Sequence, residues 1–119
     1  MVLPEQLAAH LADPLLAPLS GVGRQGYGEN AACGDELWLE VAEGPSGELE
    51  VRYRVRGCAA LVAGTSLWVS AVRRAVAGGG DPLGLDPGAV LAAAGGLPAR
   101  SRHVERVIAR AWGQALGRG

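Results

Sequence analysis

Between Leu49 and Arg56 the chain alternates without a break: Leu49, Val51, Tyr53 and Val55 are apolar, and Glu50, Arg52, Arg54 and Arg56 are charged. A period of two puts every apolar side chain of an extended strand on one face and leaves the other to water. A shorter run repeats the pattern, with Leu37, Leu39 and Val41 pointing one way and Glu36, Trp38 and Glu40 the other. Gly44-Pro45-Ser46-Gly47 joins the two as a hairpin loop. One-sided alternation means an antiparallel sheet with helices covering one face. Across the hairpin, Glu36 and Glu40 are expected to face the arginine row, each pair adding roughly 0.2–1 kcal/mol.

The covering helices are legible too. Ala59 to Ala77 is the most hydrophobic stretch, and Leu61, Thr65, Trp68, Val72 and Val76 recur at three- and four-residue steps before Gly78-Gly79-Gly80. Asp86-Pro87 supplies an N-cap and a first-turn proline for a short helix reaching Ala94. A last helix is expected from about Ser101 to Leu116, burying Val104, Val107, Ile108, Ala111, Trp112 and Ala115. At the other end, residues 4–12 read as a short helix with Leu7, Ala8 and Leu11 on one face, stopped by Asp13-Pro14. Pro14 to Asn30 carries Pro18, Gly21, Gly23, Gly26 and Gly28 and reads as a mobile turn-rich loop. The expected architecture is α+β, a small antiparallel sheet of about three strands packed against helices, in a single domain over 1–119 with 1–30 as helix and loop.

Composition narrows the function. Apolar residues make up 49% but aromatics only 4%, so Leu, Val and Ala must fill the core. All eleven basic residues are arginine, which removes a Schiff-base lysine, a lysine general base and a Walker-type phosphate loop together. A net charge of −1 gives no electrostatic reason to expect nucleic acid or an acidic membrane as partner. No apolar run reaches the ~20 residues of a membrane span. The N-terminus, with Glu5 early and no basic region, does not read as a signal peptide, so the expected compartment is cytoplasmic.

Two cysteines in such a setting point to a reduced, metal-binding or reactive role rather than a disulfide. Cys33 precedes the first strand with Asp35 two residues on, and Cys58 follows the second, so the hairpin brings both thiols to one side of the sheet. Cys58 falls at the start of the apolar helix, where unpaired N–H groups, the helix dipole and nearby Arg56 are expected to favour its thiolate. A small buried hydrophobe is the commoner fate of a free cysteine, and a turn the commoner use of such an Asp. His103, early in the last helix, is the other candidate ligand; a surface histidine among Arg100, Arg102 and Arg106 is the plainer alternative. That cluster is most simply a solvated face. His10 reads as a packing or capping residue.

Ala32-Cys33-Gly34-Asp35, the strand pair, and Gly57-Cys58-Ala59-Ala60 leading into Thr65-Ser66-Leu67 resemble the IscU-type iron–sulfur cluster scaffolds, which include the N-terminal domain of NifU and the SufU proteins. His10-Leu11-Ala12-Asp13-Pro14 is similar to the family's His-x-x-Asn-Pro segment, and Leu97 to His103 falls where the family carries Leu-Pro-Pro-Val-Lys-x-His-Cys. The resemblance covers nearly the whole chain. It implies a scaffold or carrier rather than an enzyme, assembling a [2Fe–2S] cluster or, in the SufU branch, holding zinc. It implies a cysteine desulfurase and recipient apo iron–sulfur proteins as partners. The implied ligands are Cys33, Asp35 and Cys58, with Cys33 and Cys58 as candidate sulfur acceptors.

The chain departs from the family by having no third cysteine. In one register His103 is the family's histidine and Val104 replaces the cysteine; in the other His103 itself stands in the cysteine's place. Either way His103 is the donor left at that corner. A set of Cys33, Asp35, Cys58 and His103 has an acceptable count and type for tetrahedral zinc, and mixed Cys/His ligation of a two-iron cluster has precedent. Ala99 and Ser101 alter the chaperone-recognition stretch, which puts chaperone recruitment in doubt. Two alternatives stand beside the scaffold: a diverged homologue keeping a structural or regulatory zinc and binding partners, and a cysteine enzyme using Cys58 with His103 as base.

Overall fold

The computed structural model describes residues 3–118; residues 1, 2 and 119 of the expected domain lie outside the described residues. In chain order the elements are α1 (Glu5–Ala12), β1 (Arg24–Asn30), β2 (Asp35–Glu43), β3 (Leu49–Arg56), α2 (Ala59–Ala77), α3 (Pro87–Ala93) and α4 (His103–Ala115). The strands form one antiparallel sheet in the order β1-β2-β3, so the architecture is α+β as expected. Arg24 faces Val41 and Asn30 faces Asp35 across the first pair; Glu36 faces Arg56 and Glu43 faces Leu49 across the second.

The third strand lies inside what read as a turn-rich loop. Gly26 and Gly28 are buried on the inner face of β1, where α4 crosses it. A Cβ on Gly26 would run into the carbonyl of Ala111, and one on Gly28 into that of Val107. These glycines therefore serve close strand–helix packing rather than turns. Sequence alone reads them as turns because an alternation of glycine with Gln25, Tyr27 and Glu29 carries no apolar signal.

Helices α2 and α4 cover the inner face. The first three turns of α2 are buried nearly all round, from Ala60 to Val69, while Val76 is only half-buried. The six residues expected on the α4 stripe are the six that it buries. Trp68 and Trp112 meet edge to face where the two helices approach, with centroids 5.3 Å apart at 81°. Asp86 caps α3 by accepting the Ala89 N–H at 2.9 Å. A short 3-10 turn over Ala99–Ser101 occupies the start of the expected last helix, which begins two residues late. On α1 only Leu7 is buried; Leu11 and Ala8, expected beside it, are exposed because the helix meets α2 through the side that carries Leu7 and His10.

The segment between α1 and β1 crosses from the β3 edge of the sheet to the β1 edge. The Tyr53 N–H donates to the Ala17 carbonyl at 2.8 Å and the Tyr53 hydroxyl to the Leu15 carbonyl at 2.5 Å, closing the β3 edge. Further on, the N–H and hydroxyl of Ser20 and the N–H of Gly21 all donate to the Glu40 carboxylate at 2.8–3.2 Å. Glu40 is 1% exposed beneath this strap. It was expected outward against the arginines; its Cα is opposite Arg52, but Arg52 pairs with Glu50 at 3.7 Å instead. A nearby chain segment offered the carboxylate several donors out of water, which a solvated arginine does not match. The uncovered part of the outer face carries Trp38, flanked by Tyr27, whose ring lies 5.4 Å away and tilted by 50°, and by the Arg54 guanidinium 5.1 Å from the ring centroid. Among the described residues no helix is long and apolar enough to cross a membrane.

Candidate metal centre

Three chain segments meet at one end of the sheet. Cys33 closes a 3-10 turn (Ala31–Cys33) between β1 and β2, Asp35 opens β2, and Cys58 stands between β3 and α2 as the helix N-cap. Because Glu36 faces Arg56, antiparallel pairing alone carries Asp35 to the chain just beyond β3. The fourth candidate arrives from the far end of the sequence, as His103 is the first residue of α4.

Asp35 is the hub. Its carboxylate is completely buried. Oδ1 accepts the Cys58 backbone N–H at 2.8 Å, while Oδ2 lies 2.8 Å from His103 Nε2 and 3.5 Å from the Cys58 sulfur. A turn-forming, exposed Asp is thereby replaced by a buried one linking two elements. Gly57 makes the approach feasible: a Cβ there would strike the Asp35 carboxyl group, and its φ of +150° is one that other residues rarely adopt. The glycine before Cys58 is thus part of the site, and sequence reasoning gave it no role.

The sulfur of Cys33, a carboxylate oxygen of Asp35 and a ring nitrogen of His103 all lie within 4.8 Å of one another. Cys58 is outside this mutually close trio and joins it through Asp35. Both thiols are free; Cys33 is exposed and Cys58 half-buried. The His103 side chain is 13% exposed. Its contact is with the carboxylate, not with the Cys58 thiol, so the two do not form a thiol–imidazole pair.

The expectation of an activated Cys58 thiolate is overturned. Burial pushes the Cys58 thiol above its ordinary pKa, and the charge of Asp35 and the hydrogen bond to it push the same way. The backbone N–H groups of Leu61 and Ala60 at the helix start favour the thiolate but do not prevail. Arg56 does not help, because its side chain is 72% exposed and pairs with Glu36 at 3.4 Å.

Neighbouring residues settle two further points. Val104 is fully buried and packs toward Gly64 in the core, so its side chain stands away from the donors while His103 meets them. His10 is a packing residue as expected: its Nδ1 lies 2.7 Å from the Ser66 hydroxyl, which also accepts the Leu15 N–H at 2.8 Å. Of the arginines near His103, Arg106 lines an adjoining groove together with Arg110, which the sequence reading did not single out.

One thiol, one imidazole and one carboxylate form a donor set suited to zinc or iron. Four-coordinate zinc with ordinary bond lengths sets its ligand atoms about 3.3–3.6 Å apart; the trio lies within 4.8 Å, close to that spacing without an ion. Fold and site together define a small α+β protein with a Cys/Asp/His group able to hold a metal ion. In comparisons with known proteins, the chain matches no family model and no curated sequence.

Proposed function

We propose that this chain is an IscU-like scaffold or sulfur acceptor of iron–sulfur cluster assembly, carrying a [2Fe–2S] cluster or iron at Cys33, Asp35, Cys58 and His103 rather than turning over a substrate. The observation that carries this reading is the gathering of Cys33, Asp35 and His103, which are up to 70 positions apart (103 − 33), with Cys58 3.5 Å from Asp35. The α+β architecture and the order of the motifs also agree with the resemblance. The partners are a cysteine desulfurase and recipient apo-proteins.

Exposure selects Cys33 as the sulfur acceptor, since Cys58 is half-buried and engaged with Asp35. The Cys33 thiolate attacks the terminal sulfur of a persulfide on the desulfurase. The donor's S–S bond breaks, its cysteine leaves as thiolate, and a new S–S bond forms on Cys33, with no outside oxidant or reductant.

A second reading, a diverged homologue with a resident zinc that acts by binding partners, draws on the compactness of the trio, which suits a single ion, and on Val104 in place of the third cysteine. Zinc would be held by Cys33, Asp35 and His103 and would stabilise the fold.

Anaerobic reconstitution with iron and sulfide, with metal analysis of the protein as purified, separates these readings. The scaffold reading expects a coloured product whose yield falls in Cys33→Ser and His103→Ala. Stoichiometric zinc with no coloured product selects the second reading. A colourless, metal-free protein whose behaviour is unchanged by Cys33→Ser overturns both.

A further inference from the structure

At the opposite end of the sheet, about 26 Å along β2 from Asp35, lies an open groove of about 600 Å³. It is lined by the start of β1, the end of β2, the start of β3 and the residues following α4. Buried Val41 and half-buried Leu49 and Leu116 line its inner part. At its rim stand Val22 (87% exposed) and Leu83 (45%), two of the four large apolar side chains exposed among the described residues. Apolar surface left in water around one concavity is a mark of binding.

Two arginines line the same groove, and each is already held in place. Arg24 donates through Nε to the Ala115 carbonyl at 3.0 Å, and Arg118 donates from its guanidinium to the Leu83 carbonyl at 3.1 Å. Neither has a carboxylate within ion-pair distance among the described residues. Each guanidinium keeps N–H donors beyond the one spent. Glu43 is the one acidic group on the lining, so positive charge prevails there. Held guanidinium groups beside apolar surface match a ligand with an anionic head and an aliphatic body.

We infer that this groove binds an apolar monoanion, of the class of medium-chain aliphatic carboxylates. The site is remote from the Cys33, Asp35 and His103 group, and the inference does not depend on what that group holds.

The test is titration of the ¹⁵N-labelled full chain with octanoate, octanol and octyltrimethylammonium, followed by amide shifts. Octanoate is expected to move the Gly23, Leu49, Leu83 and Leu116 amides, and to bind about tenfold more tightly than octanol, the worth of one charge-assisted contact. The ammonium compound is expected not to bind. Arg24→Gln and Arg118→Gln should each weaken octanoate binding severalfold, and Leu83→Glu or Val22→Glu should abolish it. The last two sit at exposed positions, and the spectrum of each free variant reports its fold. Octanoate that moves none of these amides overturns the inference. So does equal affinity for the carboxylate, the alcohol and the ammonium compound, or indifference to both arginine substitutions.

Discussion

Asp35 does more than any other single residue to assemble the candidate site. Fully buried, it accepts from the Cys58 N–H and meets His103 and the Cys58 thiol on its other oxygen. Removing it leaves a backbone donor and an imidazole without their partner in a poorly solvated corner. Asp35→Ala is therefore expected to lower stability by about 2–3 kcal/mol. It should also free the His103 ring, and the measurements are denaturant unfolding and the His103 ring resonances. An unfolding midpoint equal to the parent's would mean that the hub is not structural. Gly57 belongs to the same scale of argument, because only a residue without Cβ lets the chain before Cys58 lie against that carboxyl group. Nothing in Gly57-Cys58 read alone announces this, since the atom that excludes a side chain belongs to a residue 22 positions earlier (57 − 35).

Among the elements, the two hairpin strands and the long helix follow from local pattern. The strands were readable because one face of each is apolar and the other polar, and the helix because its large apolar side chains recur at three- and four-residue steps. β1 was not readable, since its inner face is glycine and its stability comes from α4 lying close upon it. Gly28→Ala is expected to drive the two elements apart at a cost of about 3 kcal/mol, the upper range for overpacking. Hydrogen exchange at the Tyr27 amide, which donates to the Gln114 side chain of α4 at 3.0 Å, should speed up in this variant if the two elements part. An unchanged exchange pattern would show that α4 can shift without penalty. Glu40 illustrates the same limit: its place in the alternation marked it outward, correctly, but the outward face there is covered by Ser20 and Gly21.

For the whole molecule, two groups couple stability to acid. Burial, followed by the charge of Arg74, holds the His10 imidazole below its ordinary pKa of 6.5. A base depressed in the folded state binds fewer protons than in the unfolded chain, so its contribution is present above pH 6.5 and fades as the pH falls below that value. For Glu40, burial acts to raise the pKa, but the hydrogen bonds from Ser20 and Gly21 outweigh it and the carboxyl ends below its ordinary 4.5. Its contribution is present above pH 4.5 and fades below. Melting temperatures followed from about pH 8 to about pH 3 should fall in both windows. His10→Gln is expected to flatten the upper window and Glu40→Gln the lower. A profile unaltered by either substitution would locate the acid sensitivity elsewhere.

Local periodicity determined the hairpin, the central helix, the α4 stripe and the end of the sheet where Cys33, Asp35 and Cys58 meet, because side-chain periods of 2 and 3.6 depend only on neighbours in the chain. It could also place His103 at the head of α4. Only the tertiary structure decided that His103 meets Asp35 rather than water, that Cys58 is hindered from ionising, and that a strap buries Glu40. Each of these outcomes depends on which groups a side chain meets across long stretches of sequence. Burial and the closeness of charged and hydrogen-bonding groups set them, and neither exists until the chain has folded.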